Sequence, residues 1–560
     1  MEAASTMSDW RREVPPRWAP LVYDAAPMHP AAEPHLVPMR DGTRLATDVY
    51  RPERLRGRAP AVLIRTCYDK CGLLMDLPGV ALALAAEGYV AVVQDVRGRF
   101  RSEGERRPFF HEVDDGYDTL EWITQQAWSD GAVGMHGSSY LGFCQWAAAA
   151  SGHPALRAMS LAMTSQLVPP TWWGPALAAP DGTEWLVSEW ASSARIEGAS
   201  LDWTRRPYAE VIPEDLTAVR GLLGELRALS ADPAALQAHA YPRGLPASAL
   251  RIPALHVGGW FDLLKSWSLQ DWATVTGGGA PAAGDQQLVI GAVDHIGRPF
   301  GIEDDEGAPP RGGGLEPTLS FFAQHLQQRR PRRRPPRVRY EIAGAGWRQA
   351  DRWPPAPLRP WILHLADAER ATTTLLGGAL SARADRRRSC ARWVHDPEAP
   401  VPSLGTEIVL PIPHEAATHM RPDVATFTSE APDAPLDLVG PAAAQLEIAS
   451  TAPAMHVLAT LLHLAPDGTV HQLAEGIATV DTLHGPARVT VELGAIAFRL
   501  AAGHRLRLAI SCSRFPTYLP HPGTTESVWT AIRTQAAEQT LWAGGSLGSM
   551  LLLSVLSPPR

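Results

Sequence analysis

The 560-residue chain has few cysteines, almost no lysine and fewer basic than acidic residues. It contains five cysteines and no Cys-x-x-Cys pair, and Cys67 and Cys71 have no companion pair at zinc-like spacing, so neither a disulfide framework nor a structural zinc site is expected. Only two of the 51 basic residues are lysine, and the formal net charge is −8. This acidic balance argues against a protein that binds nucleic acid by neutralising phosphates.

Long apolar runs are also missing. No stretch reaches the roughly 18 uninterrupted apolar residues of a membrane-spanning helix, and the first 18 residues lack the apolar core of a signal peptide. The 45% hydrophobic content excludes wholesale disorder. We therefore expect a soluble, cytoplasmic protein.

The length predicts about three domains. Continuous apolar runs at 61–64 and 90–93, separated by helical patterns, are typical of buried strands in a parallel sheet and predict the first part of an α/β domain over 1–150. Strand signals disappear over 151–250, which we expect to form a helical cap domain. Within it, apolar residues on one helical face from Leu216 to Leu229 predict a helix that begins at Pro213. Runs at 254–257 and 288–290 predict the second part of the α/β domain over 251–335.

The last part of the chain has a different pattern. Residues 329–339, RRPRRRPPRVR, are interpreted as a solvated connector, because proline and like charges both extend a chain. Apolar residues then alternate with polar or small ones, as in Leu506, Leu508, Ile510 and Cys512. This period of two predicts a jelly-roll β-sandwich over 336–560.

The most informative motif is Gly137-Ser138-Ser139-Tyr140-Leu141-Gly142, at a predicted strand-to-helix turn. A sharp turn of this kind exposes a serine oxygen and aims helix N–H groups at it. The second glycine lies one position later than in the common Gly-x-Ser-x-Gly, so a purely structural glycine-rich turn is an equal alternative on this motif alone.

Two downstream loops favour the catalytic interpretation. Asp262 and His295 each follow a predicted parallel strand, and such strands place their carboxyl ends at one sheet edge. The chain order Ser, Asp, His is that of α/β-hydrolases, in which histidine accepts the serine proton and aspartate fixes the histidine tautomer.

Several segments together resemble one family. They are MRDGTRLATDVYRP (39–52), RTCYDK (65–70), QDVRGRFRSEGE (94–105), the segment 115–142 that contains the serine motif, GGWFD (258–262) and GHRLRLAISCSRFPTYLPHP (503–522). The chain resembles the cocaine esterase-like serine hydrolases, a family that also includes X-Pro dipeptidyl-peptidases and α-amino-acid ester hydrolases. The resemblance implies an α/β-hydrolase core, a helical cap and a C-terminal jelly roll.

The resemblance also implies site residues. Ser139 matches the nucleophile, Asp262 the acid and His295 the general base. Tyr68 matches the tyrosine whose hydroxyl forms half of the oxyanion hole, and Tyr140 supplies the backbone N–H of the other half. In the acyl pocket, Trp172 is either a wall or a packing residue of the cap, and Leu264 lies just past the acid.

Other candidates receive different interpretations. Ser138 is a poorer nucleophile candidate than Ser139, because it would put His136 where the turn needs a small residue. Asp294 stands beside the base where the family usually has serine, and we expect it to support the site rather than replace Asp262. Asp95 and Arg97 are interpreted as structural. His414 and His419 are five apart and do not share a helix face, so no metal site is expected there.

These observations predict a serine hydrolase that cleaves ester or amide bonds through an acyl-enzyme. The alternatives are an acyltransferase that uses the same acyl-enzyme, an X-Pro dipeptidyl-peptidase, and a non-enzymatic binding module. The expected partner is a small-molecule ester or amide, with no cofactor, no metal, no nucleic acid and no membrane. A homodimer is left open.

Overall fold

The structure is a computed structural model. It describes residues 22–23, 25–72, 74–167, 179–196, 201–242, 244, 246–277, 285–300, 315–330, 333–374, 376–403, 420–483, 485–545 and 548–557. Two large sheets organise these residues, and a two-stranded sheet pairs β1 (Val22–Tyr23) with β8 (Arg195–Ile196).

The first large sheet has ten strands in the order β12-β11-β10-β9-β7-β6-β4-β5-β3-β2. All neighbours from β5 through β4, β6, β7, β9 and β10 to β11 are parallel, and the remaining pairs are antiparallel. The bounds are β2 (Glu33–Pro38), β3 (Arg44–Tyr50), β4 (Ala59–Thr66), β5 (Val90–Asp95), β6 (Ser129–Ser138), β7 (Leu156–Ala162), β9 (Ala254–Gly259), β10 (Gln286–Gly291), β11 (Val338–Ile342) and β12 (Gly346–Ala350).

Helices cover both faces of this sheet, which explains the continuous apolar runs of its central strands. In β4, Leu63 joins one apolar cluster, while its neighbours Val62 and Ile64 join another on the opposite face. The helices are α1 (Leu77–Ala86), α2 (Glu112–Thr124), α3 (Tyr140–Ser151), α4 (Ala179–Trp190), α5 (Thr217–Ser230), α6 (Pro233–Ala240), α7 (Lys265–Gly277) and α8 (Glu316–His325). None of the helices in the described part of the chain has the length and apolar character needed to cross a bilayer.

The second large sheet has eleven strands. Most of its buried apolar residues belong to one large cluster, and a smaller cluster contains Leu462, Val470 and Ala509. Their bounds are β13 (Leu358–Ala366), β14 (Gly378–Ser381), β15 (Ser389–His395), β16 (Ala425–Ser429), β17 (Leu436–Ser450), β18 (Ala454–Leu464), β19 (Val470–Asp481), β20 (Ala487–Leu500), β21 (Arg505–Ser511), β22 (Ala537–Ala543) and β23 (Met550–Leu556). The predicted fold class, an α/β core with a C-terminal β-sandwich, is confirmed.

Individual elements differ from the sequence analysis in three places. Strands β7 and β8 lie inside the stretch 151–250, in which we expected no strands. The β7 sequence, LRAMSLA, lacks a strand signal because it contains arginine, serine and alanine and has no β-branched residue. Helix α5 begins at Thr217 rather than Pro213, since Leu216 has non-helical backbone angles (φ −95°, ψ 48°). Strands β11 and β12 pair with the first sheet although they follow residue 335.

Candidate active site

Ser139 occupies the turn between β6 and α3. Its backbone has φ 56° and ψ −124°, a conformation that non-glycine residues rarely adopt and that is a strained one. Its N–H donates to the carbonyls of Ala162 (3.0 Å) and Met163 (3.2 Å), which holds the strained residue against the end of β7. Ser139 itself is partly exposed. The neighbouring Ser138 is the last residue of β6, so the turn presents Ser139 as the nucleophile candidate.

Two glycines make this turn possible. A Cβ on Gly137 would lie 2.5 Å from the Cβ of Leu141, and Gly137 also has φ 145°. A Cβ on Gly142 would lie 2.3 Å from the Cγ2 of Thr164, whose hydroxyl donates to the Ser139 carbonyl at 2.8 Å. The displaced second glycine of the motif is therefore required because α3 packs closely against Thr164.

Asp262 and His295 meet at the same sheet edge. The Nδ1 of His295 and the Oδ1 of Asp262 are 2.7 Å apart, and the Asp262 side chain is fully buried while that of His295 is 11% exposed. The backbone N–H of Leu264 donates to the same Oδ1 at 3.0 Å. With Nδ1 engaged by the carboxylate, Nε2 is the ring nitrogen available for proton transfer.

The loops that carry this pair are in direct contact. A Cβ on Gly259, the last residue of β9, would lie 2.2 Å from the carbonyl oxygen of Val293. The N–H of Phe261 donates to that carbonyl at 3.1 Å. Glycine at position 259 thus lets the Asp262 loop and the His295 loop approach closely enough for their side chains to bond.

Asp294 shapes the His295 loop. Its Oδ1 accepts from the N–H groups of Ile296 (3.0 Å) and Arg298 (2.8 Å), and the residue is completely buried. The carboxylate therefore closes the turn that follows His295 by accepting from two of its backbone N–H groups.

The hydroxyl of Tyr68 lies beside Ser139. Burial raises the pKa of this phenol well above its usual value, and the opposing effect of the Ser139 side chain is smaller. Tyr68 consequently stays protonated and can donate a hydrogen bond. It also accepts one, because the indole N–H of Trp185 donates to its Oη at 3.2 Å.

Tyr140 is the first residue of α3, so its backbone N–H has no carbonyl partner within the helix. Its side chain points elsewhere. The Tyr140 hydroxyl donates to Oε1 of the buried Glu112 at 2.5 Å and accepts from the N–H of Phe109 at 3.2 Å. The group of Tyr140 that can donate a hydrogen bond next to Ser139 is therefore its backbone N–H.

The other sequence candidates are placed as follows. Leu264 is buried in the apolar cluster that also contains Tyr140, so its side chain packs in the core while its N–H holds Asp262. Arg97 pairs with Asp115 (2.6 Å) and Asp41 (2.6 Å), which agrees with a structural role. Trp172, His414 and His419 lie outside the described residues.

Sequence reasoning missed Trp185 and Arg99. Both contact the loop that carries Tyr68, but from positions far away in the chain. Trp185 belongs to a cap rich in tryptophan, and Arg99 lies inside the family-like segment 94–105. The tryptophan content of the cap and the family-like segment mark both residues as candidates, but neither feature shows that they contact the Tyr68 loop.

The β-sandwich also reaches this site. The ring of Phe261, next to the acid, stacks on Phe300 at 4.7 Å between centroids, and Phe300 packs edge-on against Phe498 of β20 at 5.8 Å. Backbone hydrogen bonds between Ala343 and the residues on either side of Phe498 reinforce this contact. The C-terminal sheet therefore supports the acid and base loops from behind.

Comparison with known proteins places this geometry in a family. The family model for X-Pro dipeptidyl-peptidase (S15 family) matches residues 41–297, and the model for the X-Pro dipeptidyl-peptidase C-terminal non-catalytic domain matches residues 332–542. The cocaine esterase of Rhodococcus sp. (strain MB1 Bresler) is 31% identical over 533 residues, which cover 86% of this chain and 91% of that protein. The chain belongs to the cocaine esterase and S15 peptidase family of serine hydrolases.

Solved structures agree on the fold. An aminopeptidase from a marine sediment Thaumarchaeota archaeon has a TM-score of 0.77 at 21% identity, covering 94% of this chain and 96% of its own. An α-amino-acid ester hydrolase has a TM-score of 0.75 at 22% identity, with the same coverage. The present chain, as a member of the cocaine esterase family, is a serine hydrolase that cleaves ester or amide bonds.

Proposed function

We propose that Ser139, His295 and Asp262 form the catalytic triad of this enzyme. The observation that carries the proposal is the buried Asp262–His295 hydrogen bond, at the sheet edge where Ser139 sits in its strained turn. In this assignment His295 Nε2 accepts the Ser139 proton as Oγ attacks the substrate carbonyl. The same nitrogen then protonates the leaving group, and Asp262 stabilises the imidazolium.

The charge that develops on the carbonyl oxygen needs donors already in place. The Tyr68 hydroxyl and the Tyr140 backbone N–H are proposed as these two donors, because one lies beside Ser139 and the other begins the helix that follows it. A single donor of this kind typically contributes about 10²–10³ to kcat. Water then attacks the acyl-enzyme while His295 Nε2 accepts its proton, and that proton passes to Ser139 Oγ as the acid product leaves.

The proposed substrates are small esters with an apolar acyl group. The Trp185 ring, whose N–H reaches Tyr68, stacks on the buried Phe109, so the surroundings of the proposed oxyanion hole are aromatic. Aromatic walls favour apolar acyl groups. Cocaine esterase, a relative named for an ester substrate, supports the same class.

A dipeptidyl-peptidase would require a carboxylate to hold the substrate ammonium. In the described part of the chain, two buried carboxylates that contact residues around the proposed hole are both engaged: Glu112 accepts from Tyr140, and Glu189 pairs with Arg99 and Arg195. These contacts favour the esterase proposal over the peptidase alternative.

Steady-state hydrolysis of a substrate panel tests the proposal. The panel contains p-nitrophenyl esters of acetate, butyrate and benzoate, amino-acid p-nitrophenyl esters, and Gly-Pro p-nitroanilide, each with the parent and with Ser139→Ala. We expect the apolar esters to have the highest kcat/KM and the variant to lose essentially all activity. Faster cleavage of Gly-Pro p-nitroanilide than of every ester would contradict the proposed substrate class.

A further inference from the structure

A residue of the helical cap contacts the proposed oxyanion hole. Trp185 lies in the middle of α4 and is half-buried, and its Nε1–H donates to Tyr68 Oη at 3.2 Å across 117 positions of sequence. Its ring is fixed by stacking on Phe109, with centroids 5.8 Å apart and planes at 29°. The indole N–H is therefore held in place independently of Tyr68.

A buried ion pair fixes α4 against the loop that carries Tyr68. Arg99 donates from Nε to the carbonyl of Cys67 (2.9 Å), the residue before Tyr68. It also donates from Nη2 to Oε2 of Glu189 (3.0 Å), one turn after Trp185 on the same helix. Both charged side chains are at most 2% exposed.

The same guanidinium also fixes the end of the cap helix. Its Nη1 donates to the carbonyls of Ser192 (2.8 Å) and Ala194 (3.1 Å), just past the end of α4. The Arg99 side chain thus bonds both to the residue before Tyr68 and to the helix that carries Trp185. The distance between indole and phenol is set by a rigid support.

We propose that Trp185 is a positioning residue of the oxyanion hole that acts through Tyr68. A phenolic oxygen has one proton and acceptor lone pairs, and the proton can rotate about the C–O bond. Donation from Trp185 occupies the oxygen on the cap side, so the Tyr68 proton is directed toward the Ser139 side. A hydrogen bond accepted by a hydroxyl also strengthens the one that it donates. This inference rests on the proposed function, which makes Tyr68 an oxyanion donor.

A double-mutant cycle tests the proposal with an apolar p-nitrophenyl ester. Trp185→Phe keeps a stacking ring and removes the N–H, and we expect kcat to fall about 3- to 10-fold, the range of one net hydrogen bond, with KM changed less than the kcat. In a Tyr68→Phe background the same substitution should change kcat by less than about twofold, because the group through which it acts is gone.

Trp190→Phe is the matched control. Trp190 lies on the same helix and packs against Trp185 at 6.1 Å, but its Nε1 has no hydrogen-bond partner in the described part of the chain. The control removes the same ring volume without breaking a hydrogen bond, and we expect kcat within about twofold of the parent. An equal loss of kcat in both variants would assign the effect to packing and overturn the proposal.

A second readout separates this proposal from the proposed function. Phenylboronic acid forms a tetrahedral serine adduct that resembles the transition state, so its inhibition constant should rise in Trp185→Phe by the same factor by which kcat/KM falls. Full additivity of Trp185→Phe and Tyr68→Phe overturns the positioning role while leaving the triad intact. Parent-like kcat in Tyr68→Phe, or no fluorophosphonate labelling of Ser139 in the parent, defeats the proposed function itself.

Discussion

Asp262 and His295 are 33 positions apart in the chain, yet their side chains are joined by a 2.7 Å hydrogen bond. Strands β9 and β10 bring them together by pairing over six parallel residues, so both loops begin at the same edge. The absence of a side chain on Gly259 then lets one loop rest on the other. The site is thus a product of strand register and close loop contact.

Replacing the acid should remove most of the activity. Asp262→Asn cannot hold the Nδ1–H tautomer of His295 in the same way, because the amide can present its NH₂ to the ring. We expect kcat to fall about 10⁴-fold for a p-nitrophenyl ester while the fold is kept.

Asp294→Asn is the control for this prediction. An amide oxygen can still accept from the N–H groups of Ile296 and Arg298, so we expect less than about a tenfold loss of kcat. A control as inactive as Asp262→Asn would mean that the acid has been assigned to the wrong residue.

The glycine at the start of α3 should not tolerate a methyl group. In Gly142→Ala the new Cβ would lie 2.3 Å from Thr164 Cγ2, so the helix must shift and move Ser139 and the Tyr140 N–H with it. We expect at least about a 100-fold loss of kcat, since small misplacements cost this much.

Gly221→Ala serves as the comparison. Gly221 is exposed in α5, and a Cβ there would meet nothing within 4 Å. This variant should keep parent activity and gain up to about 1 kcal/mol of stability from helix propensity. Activity in Gly142→Ala equal to that of Gly221→Ala would refute the packing argument.

The sequence predicts the parts of the site that depend on local pattern. Strands β4, β5, β9 and β10 were evident as continuous apolar runs, and the positions of Asp262 and His295 followed because loops after parallel strands share an edge. Strand β7 was not predicted, because its sequence has no β-branched residue. It forms a strand because it pairs with β6 on one side and with β9 on the other.

Contacts between distant segments could not be predicted in this way. Arg99 and Glu189 are 90 positions apart, and charged residues in a sequence are normally expected at the surface. Their burial, like the Trp185–Tyr68 bond, depends on how the cap is placed on the sheet. Periodicity carries no information about that placement.

Breaking the Arg99–Glu189 pair should destabilise the protein. Among the described residues, Arg99→Met leaves the buried Glu189 with Arg195 as its one remaining charged partner, and removal of one member of a buried pair typically costs about 3–5 kcal/mol. We expect a clear fall in the thermal unfolding midpoint, measured by circular dichroism, together with reduced kcat.

Arg51→Gln provides the matched surface pair. Arg51 and Glu33 are both more than 40% exposed, so this change should cost at most about 1 kcal/mol. Equal midpoints for Arg99→Met and Arg51→Gln would show that the buried pair does not fix the cap.

The two lysines of the chain should respond to substitution in opposite directions. Burial lowers the pKa of Lys265 to about 8 against the opposing effect of Asp262, whereas the unfolded chain keeps the ordinary value near 10.5. Between about pH 8 and 10.5 the unfolded state binds the extra proton, so this group makes the parent more stable as the pH rises there. At pH 7 its full cost applies.

Lys265→Met should therefore raise the unfolding midpoint at pH 7 and lose this advantage between pH 8 and 10. Lys70→Met should lower the midpoint at pH 7, because Lys70 Nζ pairs with the buried Asp48 at 2.6 Å. Thermal unfolding at pH 7, 8, 9 and 10 distinguishes them. A Lys265→Met protein that is less stable than the parent at pH 7 would contradict the lowered pKa.

The most direct test of the central claim is to label the protein with a fluorophosphonate and read the modified peptide by mass spectrometry, in the parent, in Ser139→Ala and in Ser138→Ala. We expect one modified residue, Ser139, in the parent and in Ser138→Ala, and no labelling in Ser139→Ala. Labelling that persists in Ser139→Ala, or a folded parent that does not react, would contradict the assignment of Ser139 as the activated nucleophile.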